Sequence, residues 1–233
     1  MCGRFVLTAS PGDIADLLDV KEGRDLGWEP RWNIPPTSTI PIIVDTDRSG
    51  ARVRRLALAR WGLVPSSARS VSGPPLFNAR SEKAAHTVSF RASTASRRAV
   101  VPATGYYEWR LTPEGRDPVF IHDPSGTPML FAGLYSWWSD PAVEGPERWL
   151  LSTTILTRAA PPALADIHDR APVVLDRGSV DAWLDPARTV SQNDVDAVAA
   201  QAERQYARLE ARAVDRAVGS VRNDGPELLR PLS

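Results

Sequence analysis

The sequence has 233 residues, of which 42% are hydrophobic and 24% are charged, and its 28 basic residues balance its 28 acidic residues. The length suffices for one sizeable core, and the zero net charge argues against indiscriminate binding to nucleic acid. No window approaches the run of roughly 18 apolar residues that a membrane span requires, and the N-terminal residues lack the pattern of a signal peptide.

The single cysteine excludes an internal disulfide. A free thiol is typical of a reducing compartment, so we expect a cytoplasmic protein, nucleoid-associated if it is bacterial, that is a monomer and has no membrane partner. His86, His122 and His168 show no metal-ligand spacing, and there is no glycine loop that could cradle a phosphate. We therefore expect neither a metal nor a cofactor.

Basic residues are concentrated in the middle of the chain. Between Arg48 and Arg116 there are thirteen Arg or Lys residues and three acidic residues, which leaves fifteen basic and twenty-five acidic residues elsewhere. Such a basic segment could face a phosphate backbone. An unevenly charged surface without a ligand explains the same pattern equally well.

The first predicted element is a short helix that follows Ser10 as N-cap and has Pro11 at its first position. Short strand-like runs then dominate, separated by turn clusters rich in Gly, Pro, Asp and Ser. The runs are 39–44, 53–63, 99–102, 119–122, 129–135 and 149–154, and the turns are 47–50, 113–115, 123–126 and 139–141.

A polar loop without periodicity, residues 66–75, lies inside the basic segment, and long loops of this kind are often functional. Helical spacing of apolar residues predicts a short helix over Val180–Leu184 and a longer one over 193–218. The pattern predicts one α+β domain, residues 1–233, with a mainly antiparallel, barrel-like core and peripheral helices.

Cys2 becomes the first residue if Met1 is trimmed, which leaves an α-amine and a thiol on one residue. The amine has an ordinary pKa of about 7.7–8.0, so part of it is a neutral nucleophile near pH 7. The thiol reacts as thiolate, which nearby positive charge such as Arg4 favours. An aldehyde could form a Schiff base with the amine, and the sulfur could then close a five-membered thiazolidine. The commoner fate of a lone cysteine is a small buried hydrophobe.

Asn78 and Arg80 follow the polar loop, and alternation along an extended segment would send both side chains to the same face. Asn78 could orient a sugar or an amine there, and Arg80 could hold a phosphate. A solvated strand edge is the ordinary alternative.

Glu108 lies among the aromatic residues of 106–109, where desolvation could raise its pKa and make it a proton shuttle. His168 stands between Asp166 and Asp169, and an imidazole that titrates near neutrality suits proton transfer. An exposed glutamate and a structural histidine are the alternatives.

These pieces, in this order, resemble the SRAP (SOS-response-associated peptidase) family of abasic-site processing proteins. The resemblance covers nearly the whole chain, and it is the joint order and spacing of the motifs that is specific. The matching segments are 1–5, 32–36, 61–65, 78–82, 101–103, 105–109, 167–175 and 221–225.

The resemblance implies an antiparallel barrel-like core with a positively charged groove for single-stranded DNA. It implies that trimmed Cys2 links to the aldehyde of an abasic site as a thiazolidine, that Asn78 positions the deoxyribose and the amine, that Glu108 is the acid–base of Schiff-base formation and reversal, and that His168 protonates the ring oxygen. Further positions match as DNA-binding residues. Arg4 and Arg80 would contact phosphates, and Asn33 and Thr153 would line the site.

The chain departs from the family pattern at several positions. Ser67 stands where the family usually has a tryptophan, and a tryptophan stacked on a base contributes roughly 1–3 kcal/mol, so the affinity for DNA is expected to differ. Thr104, Lys83 and Ala171 also depart, and residues 215–220 match only in part. None of these is a proposed chemical residue, so we expect crosslinking to be retained.

Two alternatives remain open at this point. In a hydrolase or peptidase, an activity also attributed to the family, Cys2 would attack a carbonyl with His168 as base. In a non-covalent single-strand binder, the arginines and eight tryptophans would bind intact and abasic strands alike.

Overall fold

A computed structural model describes residues 2–48 and 50–232, except for the side chain of Arg48. Met1, and with it the predicted trimming, therefore lies outside the described residues, as do Ser49 of the turn at 47–50 and Ser233. The α-helices are α1 (Pro11–Leu17), α2 (Arg91–Ser96), α3 (Val180–Leu184), α4 (Gln192–Gln201) and α5 (Glu203–Tyr206). The strands are β1 (Phe5–Leu7), β2 (Arg31–Ile34), β3 (Thr39–Arg48), β4 (Ala51–Trp61), β5 (Asn78–Arg80), β6 (Arg98–Ala103), β7 (Gly105–Thr112), β8 (Gly115–His122), β9 (Met129–Ser139), β10 (Trp149–Ala159), β11 (Arg170–Pro172), β12 (Val174–Leu175) and β13 (Glu210–Ala213).

Five of these strands close into a barrel. β3 and β4 form a hairpin that is paired along its whole length. β9 pairs antiparallel with β6 on one side and with β10 on the other. The ring is completed where β3 meets β6 at Ile43 and Val100, and where β10 runs parallel to β4 at residues 152–153.

A second sheet, in the order β13-β8-β7-β1-β2, is antiparallel throughout. β5 and β11 add to β10, and β12 adds to β9. The expected α+β fold, with a mainly antiparallel barrel core and peripheral helices, is confirmed.

Trp61 connects the barrel to its surroundings. Its fully buried ring packs edge-on against Phe5 of β1 at a centroid distance of 5.1 Å and against Phe77 at 5.9 Å, and its indole N–H donates to the Phe77 carbonyl at 2.9 Å. A buried tryptophan needs such an acceptor. Trp61 thereby fixes β1 and the segment before β5 against the end of β4.

The predicted helix after Ser10 is confirmed as α1. The Ser10 hydroxyl accepts from the Asp13 backbone N–H, and the Asp13 carboxylate accepts from the Ser10 backbone N–H, which is a complete capping box. The predicted helix over Val180–Leu184 is also found, as α3. Each predicted strand run falls within an observed strand or overlaps one.

The predicted long helix over 193–218 is wrong. Helix α4 ends at Gln201, α5 adds one turn, and the chain then extends as β13 along the edge strand β8, pairing from Glu210–His122 to Ala213–Val119. Alanine and arginine have good helix propensity, but an open sheet edge offers backbone partners that outweigh it. None of the helices in the described residues is long and apolar enough to cross a membrane.

Candidate active site

Cys2 and Asn78 meet where the start of the chain passes β5. The Asn78 side-chain amide donates to the Cys2 carbonyl at 2.8 Å, and Cys2 is fully buried. Asn78 is placed by β5, which pairs in parallel with β10 so that Asn78 lies opposite Ile155. Asn78 thus contacts Cys2 through its carbonyl, and the predicted contact of Asn78 with the amine or with a sugar stays a prediction.

The second polar atom of Asn78 is unused. Its Oδ1 is buried and accepts no hydrogen bond from any described residue. A buried acceptor without a donor is costly, so this oxygen is a ready partner for a hydroxyl or amine that enters the site. Arg80 shares the face of Asn78, as alternation predicts, since only Ala79 between them is buried.

Glu108 lies on β7, opposite Val119 of β8, with its carboxyl group almost completely buried. Burial disfavours the charged form and raises the pKa of Glu108 to about 7. The carboxyl group therefore exists in both protonation states near neutral pH. The predicted desolvation of this glutamate among aromatic neighbours is confirmed.

His168 follows the 3₁₀ turn Pro162–Leu164, and its Nε2 faces Glu108 Oε2 at 4.0 Å. The backbone N–H of Arg170 donates to His168 Nδ1 at 2.9 Å. Because that bond uses the lone pair of Nδ1, the proton of the neutral ring is on Nε2, toward Glu108. Asp169 Oδ1 also lies 2.8 Å from Nδ1, a contact that becomes an ion pair when the ring is protonated. Burial lowers the pKa of His168.

The thiol of Cys2 is not activated in the way the sequence suggested. Burial first, and the Glu108 carboxylate second, raise the pKa of Cys2 well above its ordinary value. The Arg4 guanidinium instead donates to Asn33 Oδ1 at 2.8 Å and to the Val218 carbonyl at 2.9 Å. The sulfur is therefore held as a neutral thiol.

Asn33 and Thr153, the two predicted lining residues, are both fully buried. The Asn33 amide donates to three carbonyls of the C-terminal segment, those of Val218, Ser220 and Asn223, at 2.8–3.0 Å. Thr153 Oγ1 donates to the Leu134 carbonyl within the barrel wall at 2.9 Å. Direct contact of either residue with DNA stays a prediction, and their observed contacts are internal.

A cleft of about 390 Å³ adjoins Arg4, and sequence reasoning assigned its residues no role. It is lined by Trp109, Arg116, Pro118, Arg216 and Gly219. The Arg4 guanidinium lies 5.8 Å from the centroid of the Trp109 ring, in cation–π geometry. Trp109 directly follows Glu108, so the cleft adjoins the strand that carries Glu108. The available signal was an aromatic ring at the end of a motif that already contained Glu108.

The basic segment divides into paired and unpaired cations. Arg52, Arg54, Arg55 and Arg110 form ion pairs with acidic residues. Other exposed cations of the segment form no ion pair with a described residue, namely Arg69, Arg80, Lys83, Arg91 and Arg116. Of these, Arg80 belongs to the strand that carries Asn78, and Arg116 lines the Trp109 cleft.

The site therefore combines a thiol, an amide with a free acceptor, a carboxyl group of pKa about 7 and an imidazole with its N–H directed inward. This set can bind a substrate with an electrophilic carbon and move protons to and from the oxygen or nitrogen atoms attached to that carbon. Among the described residues, no group of three or more His, Cys, Asp or Glu side chains could hold a metal ion.

Comparison with protein families matches residues 1–221 to the model of the SOS response associated peptidase (SRAP). The chain belongs to the SRAP family. Similar relatives include abasic site processing protein YoqW of Bacillus subtilis, 35% identical over 98% of this chain and 99% of the relative. YedK of Escherichia coli, which carries the same description, is 31% identical over the full length of both chains.

SRAP relatives occur outside bacteria as well. Abasic site processing protein HMCES of Gallus gallus is 28% identical over 91% of this chain and 68% of its own. A solved structure from Bacteroides thetaiotaomicron, 19% identical, shares the fold with a TM-score of 0.79 over both complete chains. A phage-related protein from Bordetella bronchiseptica is 28% identical, with a TM-score of 0.65 over 92% of this chain and 95% of that chain.

Proposed function

We propose that this SRAP protein processes abasic sites in DNA by capturing the lesion's aldehyde on Cys2, after Met1 has been removed. The observation that carries the proposal is that four distant parts of the chain bring Asn78 against Cys2 and His168 against Glu108, with Glu108 close enough to Cys2 to raise its pKa. Relatives of matching length are named abasic site processing proteins, which supports the same substrate.

The lesion enters mostly as a closed sugar ring, so capture begins with ring opening. His168, once its ring is protonated, would donate the Nε2 proton to the ring oxygen while the ionised carboxyl group of Glu108 accepts the proton of the 1-hydroxyl. This releases the aldehyde at C1 and a free 4-hydroxyl and leaves Glu108 protonated. The unused Oδ1 of Asn78 would accept from a sugar hydroxyl or from the attacking amine. His168 would thus act at the ring oxygen, which gains a proton in this step, and Asn78 at a hydroxyl or amine whose hydrogen bonding changes in it.

The α-amine of Cys2 would then attack C1 to give a carbinolamine. Glu108 in its protonated form donates a proton to the departing hydroxyl and then accepts one from the nitrogen, so that one water leaves and an imine forms. Its pKa of about 7 allows this and the reverse transfer near neutral pH. The sulfur adds to the imine carbon as the thiol proton passes to the nitrogen, which closes the thiazolidine. Because burial keeps the sulfur protonated, the amine attacks first.

The strand would reach the site along the unpaired cations. Arg80 would contact a phosphate next to the lesion, and Trp109 with Arg116 would hold a neighbouring base and its phosphate. Single-stranded DNA is favoured as substrate because a base beside the lesion must be free to stack on Trp109.

The test uses mature protein, whose N-terminus is established by intact mass, and a single strand in which a glycosylase has converted one uracil into an abasic site. We expect a heat-stable adduct on a denaturing gel, and its mass should equal protein plus strand minus one water. Cys2→Ala should form no such adduct, and the intact uracil strand should form none with either protein.

An equal adduct yield from Cys2→Ala would contradict the thiazolidine assignment. Turnover of peptide substrates by Cys2, without any DNA adduct, would favour the hydrolase instead.

A further inference from the structure

The segment that carries Asn78 and the segment that carries His168 are joined by one ion pair. Both oxygens of the Glu82 carboxylate accept from the Arg170 guanidinium, Oε1 from Nη1 at 2.8 Å and Oε2 from Nη2 at 2.9 Å. Glu82 lies in the 3₁₀ turn Ser81–Lys83 directly after β5, and Arg170 is the first residue of β11. Bidentate pairs of this type fix orientation as well as distance.

The ion pair crosses a strand. β5 and β11 lie on opposite edges of β10, since Thr157 is paired with Arg80 on one side and with Pro172 on the other. The Arg170 side chain spans this gap, and its Nη2 also donates to the Thr157 carbonyl at 2.6 Å. Arg170 Nε has no hydrogen-bond partner among the described residues. Glu82 and Thr157 therefore set the guanidinium's position.

The position of Arg170 in turn sets the histidine. Its backbone N–H donates to His168 Nδ1, the nitrogen that Asp169 Oδ1 also approaches at 2.8 Å, and that bond favours the tautomer with the proton on Nε2 and fixes where the ring points. At the other end, Glu82 is four residues from Asn78, which holds the Cys2 carbonyl. One carboxylate thus links the residue that positions the nucleophile to the residue that presents the acid.

We propose that Glu82 is a positioning residue for the SRAP reaction, which acts through Arg170 to hold His168 with its Nε2–H directed into the site. The inference rests on the proposed function for its kinetic consequence. Glu82 itself is half exposed, with 47% of its side chain accessible, so its removal costs the fold little. Its effect on the reaction comes from geometry, and a misplacement of about 1 Å is enough to slow an enzymatic step.

The decisive comparison uses two aldehyde substrates. One is the abasic strand, whose sugar must be opened by His168. The other is a strand of the same sequence that bears an acyclic aldehyde unable to close into a ring. Glu82→Gln should crosslink the abasic strand about tenfold more slowly than wild type, and the acyclic strand at a rate within about twofold of wild type. Glu114→Gln, the same change on the exposed β7–β8 turn, should match wild type on both.

A second measurement does not depend on the reaction. With only three histidines in the chain, the imidazole ¹⁵N signals can be assigned by His86→Gln and His122→Gln. Wild-type His168 should show the single Nε2–H tautomer at pH 8, whereas Glu82→Gln should show a mixture, and Glu82→Asp should restore part of the wild-type signal.

Equal slowing on both strands, or an unchanged His168 spectrum in Glu82→Gln, would overturn the positioning role. A wild-type protein that forms no adduct with either strand would refute the proposed function instead, and the spectrum would still decide whether Glu82 orients His168.

Discussion

Glu108 shows what burial does to a single side chain. Its carboxyl group is removed from water on β7, opposite Val119 of β8, and its pKa rises to about 7. A carboxyl group exposed to solvent would be ionised at neutral pH and could not donate a proton. The position of one strand therefore converts an ordinary glutamate into a usable acid.

The pH dependence of crosslinking should report this. The rate should rise as the α-amine loses its proton and fall as Glu108 loses its own above pH about 7, which gives a bell-shaped profile. Glu108→Gln should be slower by about 10²-fold and should lack the falling limb. Single-turnover gel assays from pH 5.5 to 9 measure both effects. A falling limb that persists at the same pH in Glu108→Gln would assign it to another group.

The same shift has a consequence for stability. Because the folded pKa of Glu108 lies above its ordinary value of 4.5, the stabilisation is complete below pH 4.5 and is lost as the pH rises through about 7. The full difference corresponds to about 3 kcal/mol. Thermal unfolding at several pH values should therefore show that the melting temperature of wild type falls relative to that of Glu108→Gln between pH 5 and 8.

Glu147→Gln, an exposed control in the loop after β9, should show no such trend. A constant difference between Glu108→Gln and wild type over this range would mean that burial does not shift the pKa as described.

At the scale of elements, the C-terminal segment, residues 216–229, is held in place by hydrogen bonds from side chains rather than by pairing in a sheet. Asn33 of β2 donates to three of its carbonyls. In the opposite direction, the Asp224 carboxylate of this segment accepts hydrogen bonds from the backbone N–H groups of Trp32 and Asn33 and from the Arg31 guanidinium. Arg4 completes the connection by bonding both Asn33 and Val218. This network sets one wall of the Trp109 cleft, to which Gly219 belongs.

Removing the Asn33 amide should loosen this segment. Asn33→Ala leaves buried carbonyls without donors, and we expect a loss of about 2 kcal/mol in the free energy of unfolding. Hydrogen exchange should accelerate at amides of residues 216–229 more than in the barrel strands. Asn193→Ala, an exposed change on α4, is the matched control. Uniform acceleration across the molecule would show that Asn33 acts on the whole fold.

The sequence predicted those elements whose length reveals a pattern. In the long barrel strands, apolar residues alternate with polar ones or form continuous runs, and the capping box of α1 is recognisable from Ser10 and Asp13 in the sequence. Strands such as β1, β5 and β12 have two or three residues, which is too short for periodicity to be seen. The sequence of β13 predicts helix because its local pattern contains no sign of the pairing with the distant edge strand β8.

The residues of the candidate site could be named from the sequence, but their geometry could not. Cys2, Asn78, Glu108 and His168 were named because their motifs resemble one family in order and spacing. That Arg4 would be engaged by Asn33 and Val218, or that Glu82 would reach Arg170, depends on where distant segments pack. Such contacts have no signature in a local window of sequence.

At the scale of the whole molecule, zero net charge conceals an uneven surface. The unpaired cations of the basic segment, including Arg80 beside the site, remain available to phosphates, while four of its arginines are neutralised by acidic partners. Affinity for DNA should therefore be moderate and strongly dependent on salt.

The salt dependence can be traced to one residue. Arg80→Gln should weaken non-covalent binding to an intact single strand and reduce the slope of log affinity against log salt by about 0.7, the value for one phosphate contact. Arg204→Gln, an equal loss of charge on α5, should leave the slope unchanged. Fluorescence anisotropy from 50 to 300 mM salt measures both. Equal slopes for Arg80→Gln and wild type would remove Arg80 from the interface.

The barrel ring has two narrow joints. Its hairpin, β3–β4, and its three neighbouring strands β6, β9 and β10 are each paired over long stretches. In the part of the chain that the structure describes, the backbones of these two halves pair with each other only at Ile43 with Val100 and at residues 60–61 with 152–153. The two halves can pair only after the long stretch of polypeptide between them has been ordered. The conformational entropy of that stretch is therefore lost before the few hydrogen bonds between the halves can stabilise the ring. We expect ring closure to be the late, rate-limiting event of refolding, on a timescale of milliseconds to seconds, and the candidate site residues Asn78 on β5 and His168 just before β11 to come together only after it.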